Sequence, residues 1–272
     1  MTTPNLARVA AFRALHARGE LLVLPNAWDA GSAALIESCG ARAIATTSAA
    51  VAWSHGYPDG EKLPKQALLR TVSEILRVVG VPVSVDIEAG FSRAPDEVAA
   101  FVLELIELGA IGINLEDATE TPELLAAKIE AVKRAATRAG SDIFVNARTD
   151  VLLRQLVPAH EAVSEVLARA ERYARAGADG LFVPLLAEPD AIRKIVGAVD
   201  LPVNVMAIPS LAPVAELRAL GVRRLSAGTG VAQVALSAAQ AAVERFLVDG
   251  ESARLLATPT KLKGMNALLK RT

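Results

Sequence analysis

Acidic side chains stand where three predicted strands of this sequence end. Asp86-Ile87-Glu88 closes one apolar run, and Glu116-Asp117 closes the next. A third run ends in Asn146-Ala147-Arg148-Thr149-Asp150, which adds a guanidinium group. Alternate residues of a strand point to the same face, so Asp86 and Glu88 share one side. The pattern predicts a site in which several carboxylates meet one arginine.

Acids gathered at one end of a sheet repel one another unless a positive group joins them. An all-oxygen ligand set favours a hard divalent cation, with Mg²⁺ the best fit and Mn²⁺ a second choice. Arg148 beside such a cation would offer two aligned donors to a carboxylate or a phosphate. The alternative is a buried network in which the acids pair with Arg148 and neighbouring basic residues. The residues alone leave both interpretations open.

The segments that must position these residues alternate between two patterns. Short apolar or β-branched runs are followed by longer amphipathic ones, and a glycine stands just before most of the short runs. A glycine just past a helix suits the left-handed conformation that ends it, so a strand is expected next. Six strands are predicted in this way, at residues 43–47, 82–86, 111–115, 143–146, 180–183 and 224–226, and the apolar runs at residues 21–24 and 202–205 bring the number to eight.

Two of the intervening segments show helical signals. Between residues 67 and 79, apolar side chains recur at helical spacing while charged ones face outward. Thr121-Pro122-Glu123 supplies a capping hydroxyl, a proline for the first turn and an acid that suits the helix dipole. Both segments are therefore predicted to be helices.

Eight strand–helix units on about 250 residues favour an α/β fold, a single (β/α)8 barrel of the TIM type. A doubly wound sheet usually shows Gly-x-Gly-x-x-Gly after its first strand, whereas this chain has Pro25-Asn26-Ala27-Trp28-Asp29-Ala30. Nothing in the composition divides the chain, so residues 1–272 are predicted to form one domain, with 237–272 a C-terminal helical extension. In such barrels, chemistry collects at the carboxyl ends of the strands.

Composition excludes several classes of function. The 272 residues hold 29 Lys+Arg against 30 Asp+Glu, and the absence of a basic run argues against nucleic acid as a partner. Neither a membrane span of about 18 apolar residues nor a signal peptide is recognised, so a cytoplasmic protein is expected. The single cysteine, Cys39, forbids an internal disulfide and is expected to be a small buried residue. His16 and His160 are expected to be solvated.

An ordered set of segments in this chain resembles the isocitrate lyase/phosphoenolpyruvate mutase superfamily. The resemblance covers roughly residues 5 to 235 and implies a Mg²⁺-dependent barrel enzyme that acts on 2-oxo acids or their enolates. It also implies a homo-oligomer, commonly a tetramer in which a C-terminal helix is exchanged between neighbouring subunits. The segments are Pro25 to Ala30, Thr46-Thr47-Ser48 through Gly56-Tyr57-Pro58-Asp59, Asp86-Ile87-Glu88, Leu115-Glu116-Asp117 and Asn146 to Asp150.

The resemblance implies a role for each matching residue. Asp86 matches the direct metal ligand, Glu88 and Glu116 match acids that hold the metal, often through water, and Asp59 matches an acid beside the metal waters. Arg148 matches the arginine that neutralises the enolate oxygen or a neighbouring carboxylate. The residues matched to binding of the substrate's carboxylate are Thr47, Ser48, Ala49 and Asn204. His55 is a candidate proton carrier because it is the one histidine near the site segments.

The chain departs from the superfamily pattern after the fourth strand. Lyases carry a Lys-Lys/Arg-Cys-Gly-His loop there, and mutases place a lysine and an asparagine in it, but here Glu116-Asp117 runs through residues 118–121 directly into a helix. Isocitrate or methylisocitrate cleavage is therefore not expected. C–C cleavage or decarboxylation of a small 2-oxo acid through a metal-stabilised enolate is the expected function. The alternatives are phosphonomutase-like or phosphonopyruvate hydrolase-like P–C chemistry, or a non-catalytic 2-oxo acid binding protein.

Overall fold

The computed structural model describes residues 2–17, 19–255 and 264–270 of the chain. Parallel strands form one nearly closed barrel with helices around it, which confirms the predicted fold class. All eight predicted runs form strands. The strands are β1 (Leu22–Leu24), β2 (Asn26–Ala27), β3 (Ile44–Thr46), β4 (Val83–Asp86), β5 (Gly112–Glu116), β6 (Phe144–Arg148), β7 (Gly180–Phe182), β8 (Val203–Met206) and β9 (Arg224–Ser226).

The first strand of the barrel is divided into two segments at Pro25. β1 pairs with β9 and β2 pairs with β3, so the two halves of one strand join the two ends of the sheet. Proline has no backbone N–H for the ladder, which accounts for the break between the halves. The structure therefore has nine segments where eight strands were predicted.

Helices occupy the connections between the strands. The helix predicted over residues 67–79 is α4, and Leu68, Val72 and Ile75 are buried on its inner face. The Thr121 hydroxyl accepts a hydrogen bond from the Leu124 N–H, which confirms the predicted start of α6. The helices are α1 (Thr2–Ala14), α2 (Ala30–Ser38), α3 (Ser48–Ser54), α4 (Lys65–Val78), α5 (Pro95–Leu108), α6 (Pro122–Arg138), α7 (Ala162–Arg175), α8 (Pro189–Ala198), α9 (Val214–Ala219), α10 (Gly230–Asp249), α11 (Ser252–Leu255) and α12 (Met265–Leu268).

The first helix packs across the amino-terminal ends of the barrel strands. Phe12 of α1 is fully buried and meets the Phe144 ring edge-on, with 5.2 Å between ring centroids. Arg13 pairs with Asp142 and Asp179, which precede β6 and β7. α1 thus forms a floor on the side of the barrel opposite to the strand ends that hold the acids.

Two of the expectations for single residues are wrong, and one is confirmed. His16 is buried, because its ring stacks on Phe144 against the barrel floor, and burial lowers the pKa of this histidine to about 3. Cys39 is exposed, because it caps the C-terminus of α2 instead of facing the core. His160 lies on the surface as expected.

Helix α10 leads away from the barrel. Its 20 residues expose several large apolar side chains, including Val234, Leu247 and Val248. Among the described helices, it is the one whose length and hydropathy would allow a membrane span, and a single such helix is weak evidence for one. The helix is continuous across residue 237, where the predicted extension begins. The division of the chain at that residue stays a prediction, and residues 256–263 and 271–272 lie outside the described part.

The packing of α1 predicts a large effect of one substitution on stability. Phe12→Ala should lower the free energy of unfolding by about 3–5 kcal/mol, because it leaves a cavity between the helix and the barrel floor. Leu6→Ala, at an exposed position of the same helix, should change it by about 0.5 kcal/mol or less. Urea unfolding of both variants measures the difference, and equal losses would show that α1 does not pack as described.

Candidate active site

The three predicted metal-binding acids lie together at the carboxyl ends of β4 and β5. Asp86 and Glu116 are the last residues of these neighbouring strands, and Glu88 follows Asp86 by two residues. All three are buried, with at most 9% of each residue exposed. Glu88 has a φ of 51°, a strained conformation for a residue with a side chain, and its carbonyl accepts the Glu116 N–H.

Burial makes ionisation of these acids unfavourable. It raises the pKa of Glu88 to about 7, with the charges of Asp59 and Asp86 adding to the effect. It also raises the pKa of Asp86 and lifts that of Glu116 well above its ordinary value, although Arg148 opposes both shifts. A cation at this end of the barrel would relieve the repulsion among these acids.

Arg148 lies among the acids at the end of β6. Its Nη1 is 2.6 Å from Glu116 Oε2, an ion pair without the alignment of a hydrogen bond. Its Nε and Nη2 donate to the two carboxylate oxygens of Asp150 at 2.7 and 3.1 Å. Burial disfavours the charged guanidinium, but Glu116, Asp150 and Asp86 outweigh burial and raise the pKa of Arg148. The buried ion-pair network that the sequence left open therefore exists around this arginine.

A second layer of contacts, which was not predicted from the sequence, fixes Asp150. The fully buried Asp117 accepts hydrogen bonds from Tyr173 Oη at 2.7 Å, from Arg169 Nη1 at 2.8 Å and from the Asp150 N–H at 2.9 Å. Arg169 and Tyr173 are four residues apart on α7. This helical spacing is the sequence signal that the two side chains share a face. This layer anchors the backbone that presents Asp150 to Arg148.

The predicted carboxylate-binding segment lies at the start of α3. Thr47 is the residue before the helix and is buried, and Ser48 and Ala49 form its first turn. The first turn of a helix has N–H groups without acceptors inside the helix. The neighbouring Thr46 hydroxyl accepts the Asp86 N–H at 2.8 Å, which couples this segment to the acids.

The remaining predicted residues lie in different surroundings. Asp59 is exposed, yet its charge acts on both Asp86 and Glu88. His55 Nε2 lies 2.8 Å from the Thr71 hydroxyl on α4, so the ring is held by a helix outside the barrel. Asn204 is fully buried, and its amide contacts Asn146 and Ser226 inside the barrel. Substrate contacts by His55 and Asn204 stay predictions.

The shortened segment between β5 and α6 is held in place. Glu120 pairs with the buried Lys128 at 2.7 Å and with Arg93 at 3.2 Å. Lys128 also donates to the Ala89 carbonyl, next to Glu88. These bonds join the loops after β4 and β5, so the mouth of the site has a fixed rim on this side.

Comparison with known proteins agrees with this architecture. Residues 12–247 match the model of the family described as phosphoenolpyruvate phosphomutase. A Mycobacterium tuberculosis H37Rv protein described as uncharacterized is 40% identical over 246 residues, which cover 89% of this chain and 90% of that protein. The chain belongs to the isocitrate lyase/phosphoenolpyruvate mutase superfamily.

Two further superfamily members illustrate its range. The crystal structure of a "putative phosphonomutase" from Burkholderia cenocepacia J2315 is 42% identical, with a TM-score of 0.83, and the match covers 87% of this chain and 99% of that one. The 2-methylisocitrate lyase of Escherichia coli K12 is 30% identical over 71% of this chain and 67% of its own length. The superfamily therefore includes lyases and mutases, and its members typically depend on Mg²⁺.

The acids of this chain suit such an ion. Among the described residues, no group of three or more His, Cys, Asp or Glu side chains is placed so that it could hold a metal ion by itself. Mg²⁺ keeps several waters and needs only one or two carboxylates from the protein, so a complete set is not required. Asp86, Glu88 and Glu116 offer oxygen donors alone, and burial penalises their negative charge. These residues fit a magnesium site.

The raised pKa values predict how stability depends on pH. Folded Glu88 titrates near pH 7, above its value in an unfolded chain, so the metal-free protein should lose stability as pH rises from about 4.5 to about 7. Glu88→Gln should reduce this dependence without removing it, because Asp86 and Glu116 keep raised pKa values, whereas Glu104→Gln, on the exposed side of α5, should leave it unchanged. Melting temperatures across this range, measured without divalent ions, compare the variants. An unchanged slope in Glu88→Gln would contradict the assignment.

Magnesium should act most strongly where the acids are ionised. Because the ion competes with protons for the carboxylates, Mg²⁺ should raise the melting temperature more at about pH 8 than at about pH 5.5. Asp86→Ala should remove the increase. A shift that is equal at both pH values, or that persists in Asp86→Ala, would locate the ion elsewhere.

Proposed function

We propose that this chain is a Mg²⁺-dependent lyase-type enzyme that acts on a small 2-oxo acid through a metal-stabilised enolate, by C–C cleavage or decarboxylation. The observation that supports this most strongly is the setting of Arg148. Its guanidinium is held by Asp150 and Glu116 among acids suited to a cation. A fixed positive group beside a metal is the arrangement that can stabilise charge growing on a substrate oxygen.

Each residue has a definite task in this proposal. Asp86 would bind Mg²⁺, with Glu88 and Glu116 supporting it, and the bound ion supplies Lewis-acid stabilisation of the enolate. The hydroxyls of Thr47 and Ser48 and the N–H groups of Ser48 and Ala49 bind the substrate's carboxylate, since the Thr47 N–H donates to the Ala27 carbonyl. Nε and one N–H of Nη2 donate to Asp150, so Arg148 neutralises the enolate oxygen or a neighbouring carboxylate through the end of the guanidinium that carries Nη1 and the second N–H of Nη2.

Proton transfer is assigned to the mouth of the site. Asp59 and His55 are the candidate carriers, and Asp59 is favoured because its charge acts on Asp86 and Glu88. His55 would first have to release Thr71. The substitution Asp59→Asn should then lower turnover more than His55→Gln does.

The fixed rim supports cleavage or decarboxylation over protection of a reactive enolate. A site that protects such an intermediate closes over it and excludes water. Here Glu120 and Lys128 tie the short segment after β5, and residues 118–121 supply no cysteine, lysine or histidine. P–C chemistry remains the second candidate because of the 42% identity to the protein from Burkholderia cenocepacia.

A substrate panel tests the proposal. Purified protein with Mg²⁺ is incubated with pyruvate, oxaloacetate, 2-oxoglutarate, methylisocitrate and phosphonopyruvate, and products are followed by proton and phosphorus NMR. The proposal expects turnover of a 2-oxo acid that Asp86→Ala abolishes. Turnover of phosphonopyruvate alone would favour P–C chemistry. Binding of a 2-oxo acid without any product would indicate a binding protein.

Arg148→Lys separates catalysis from structure. A lysine keeps the charge but cannot reproduce two parallel donors, so kcat/KM should fall by about two orders of magnitude while the fold is kept. Melting temperature and kcat/KM are measured on one preparation, with Arg154→Lys, at the other arginine on Asp150, as the matched control. A destabilised variant with full activity would remove Arg148 from the catalytic site.

The partner we propose for the protein itself is another copy of this chain, in a dimer or tetramer. α10 exposes Val234, Leu236 and Leu247, and the outward-facing Val23 of β1 is 52% exposed. An apolar groove of about 510 Å³ lies beside that strand and includes Leu35 and Cys39.

We also propose that the protein is cytoplasmic and that it needs neither a nucleic acid nor a membrane.

Light scattering coupled to size exclusion tests this assembly. Val234→Glu combined with Leu247→Glu should give monomers, because two charges would be buried without partners. Ser237→Glu, at an exposed polar position of the same helix, should leave the oligomer intact. A monomeric wild-type protein at micromolar concentration would contradict the proposal.

A further inference from the structure

An arginine without an acidic partner lies in the middle of the barrel. Arg224 of β9 is 1% exposed, and no Asp or Glu of the described residues forms an ion pair with it. Its Nη2 donates to Asn114 Oδ1 at 3.2 Å, while Nε and Nη1 have no protein partner. Burial lowers the pKa of Arg224 to about 9, so the guanidinium remains charged at neutral pH. Burying an unpaired charge costs several kcal/mol by general estimates, which makes a purely stabilising role a poor explanation.

The amide of Asn114 links this arginine to the proposed metal ligand. Asn114 and Asp86 are neighbours in the register of β4 and β5. Asn114 Oδ1 accepts from Arg224 and also from Asn146 Nδ2 at 2.9 Å. Asn114 Nδ2 faces Asp86 Oδ2 at 3.5 Å. A chain of polar contacts therefore runs from β9 through the barrel interior to Asp86.

Arg224 is one of two groups that set the direction of this chain of contacts, and the other is the Asn204 amide. An asparagine amide can turn by half a rotation and exchange its donor and acceptor ends. A guanidinium only donates and a carboxylate only accepts, so one orientation of Asn114 satisfies both Arg224 and Asp86. Asn204 does not turn with it, because its Nδ2 donates to the Val205 carbonyl at 2.6 Å while its Oδ1 accepts from Asn146 Nδ2. Arg224 and Asn146 Nδ2 therefore both donate to Asn114 Oδ1, and Arg224 is the charged donor of the two.

The asparagine side chains fit inside the barrel because Gly180 of β7 has no side chain. A Cβ atom on Gly180 would lie 2.8 Å from Asn146 Oδ1, closer than such atoms approach in proteins. The glycine on β7 therefore permits the Asn146 side chain to reach Asn114. The network depends on the shape of the barrel interior as well as on its polar residues.

We propose that Arg224 is a positioning residue for the metal site, which acts through Asn114 to hold the Asp86 carboxylate in place. The inference rests on the proposed function in one respect, that Asp86 binds the metal. Arg224 itself touches neither metal nor substrate. Partners of metal ligands typically change metal affinity by about 10–100-fold when they are substituted.

Binding of Mn²⁺ alone, measured by calorimetry and by electron paramagnetic resonance, tests this inference. Arg224→Gln introduces an amide that can turn, so Mn²⁺ should bind about 10–100-fold more weakly. Arg224→Lys keeps a group that only donates and should recover most of the affinity. Arg223→Gln, at the half-buried position just before β9, where the guanidinium donates to the Val222 carbonyl, should bind as the wild type does.

A second variant covers the case in which Arg224→Gln does not fold. Asn114→Ala removes the link but keeps Arg224, and it should weaken Mn²⁺ binding to a similar degree. Wild-type affinity in both Arg224→Gln and Asn114→Ala would overturn the inference while leaving the proposed function intact. A wild-type protein that binds no Mn²⁺ would overturn both.

Discussion

Negative charge crowded into a buried end of the barrel is the constraint on which the site depends. Parallel strands end at one edge, so β4 and β5 deliver Asp86, Glu88 and Glu116 to the same place. Burial raises the pKa of all three. The barrel can hold them as carboxylates only with positive charge close by. Arg148 supplies one such charge, and a divalent cation fits the oxygen donors that remain.

Helices outside the barrel hold the charged groups of the site in position. α7 holds Asp117 through Arg169 and Tyr173, Asp117 holds the backbone of Asp150, and Asp150 orients Arg148. Contacts of this kind fix a catalytic group more firmly than its own strand could, because a long side chain has many rotamers. The geometry of the mouth therefore depends on helix packing some distance from it.

Much of the fold could be predicted because its signals are local. Glycines that end helices located six of the eight barrel strands, and short apolar runs located the other two. The alternation of side chains along Asp86-Ile87-Glu88 was enough to predict that acids meet at one edge of the sheet. The break at Pro25 was missed, because a proline within a strand shows only that pairing stops there and not that pairing resumes after it.

The failures concern residues whose environment depends on distant parts of the chain. Lys128, Arg169 and Arg224 are charged residues that the fold buries, and hydrophobic periodicity treats charged residues as surface. The partners of Arg169 and Arg224 lie 52 and 110 positions away. His16 was misplaced for the same reason, since nothing near it in the sequence shows that α1 lies across the barrel floor. The roles of His55 and Asn204 depend on a bound substrate.

The formation of an enolate is the central claim, and exchange of substrate hydrogen for deuterium measures it most directly. In D₂O with Mg²⁺, proton NMR follows the methyl signal of pyruvate and the methylene signals of other 2-oxo acids. The account predicts enzyme-dependent loss of the signal for at least one of these acids, and no such loss with Asp86→Ala. Saturable binding of Mg²⁺ and a 2-oxo acid, with no exchange in any of them, would contradict it.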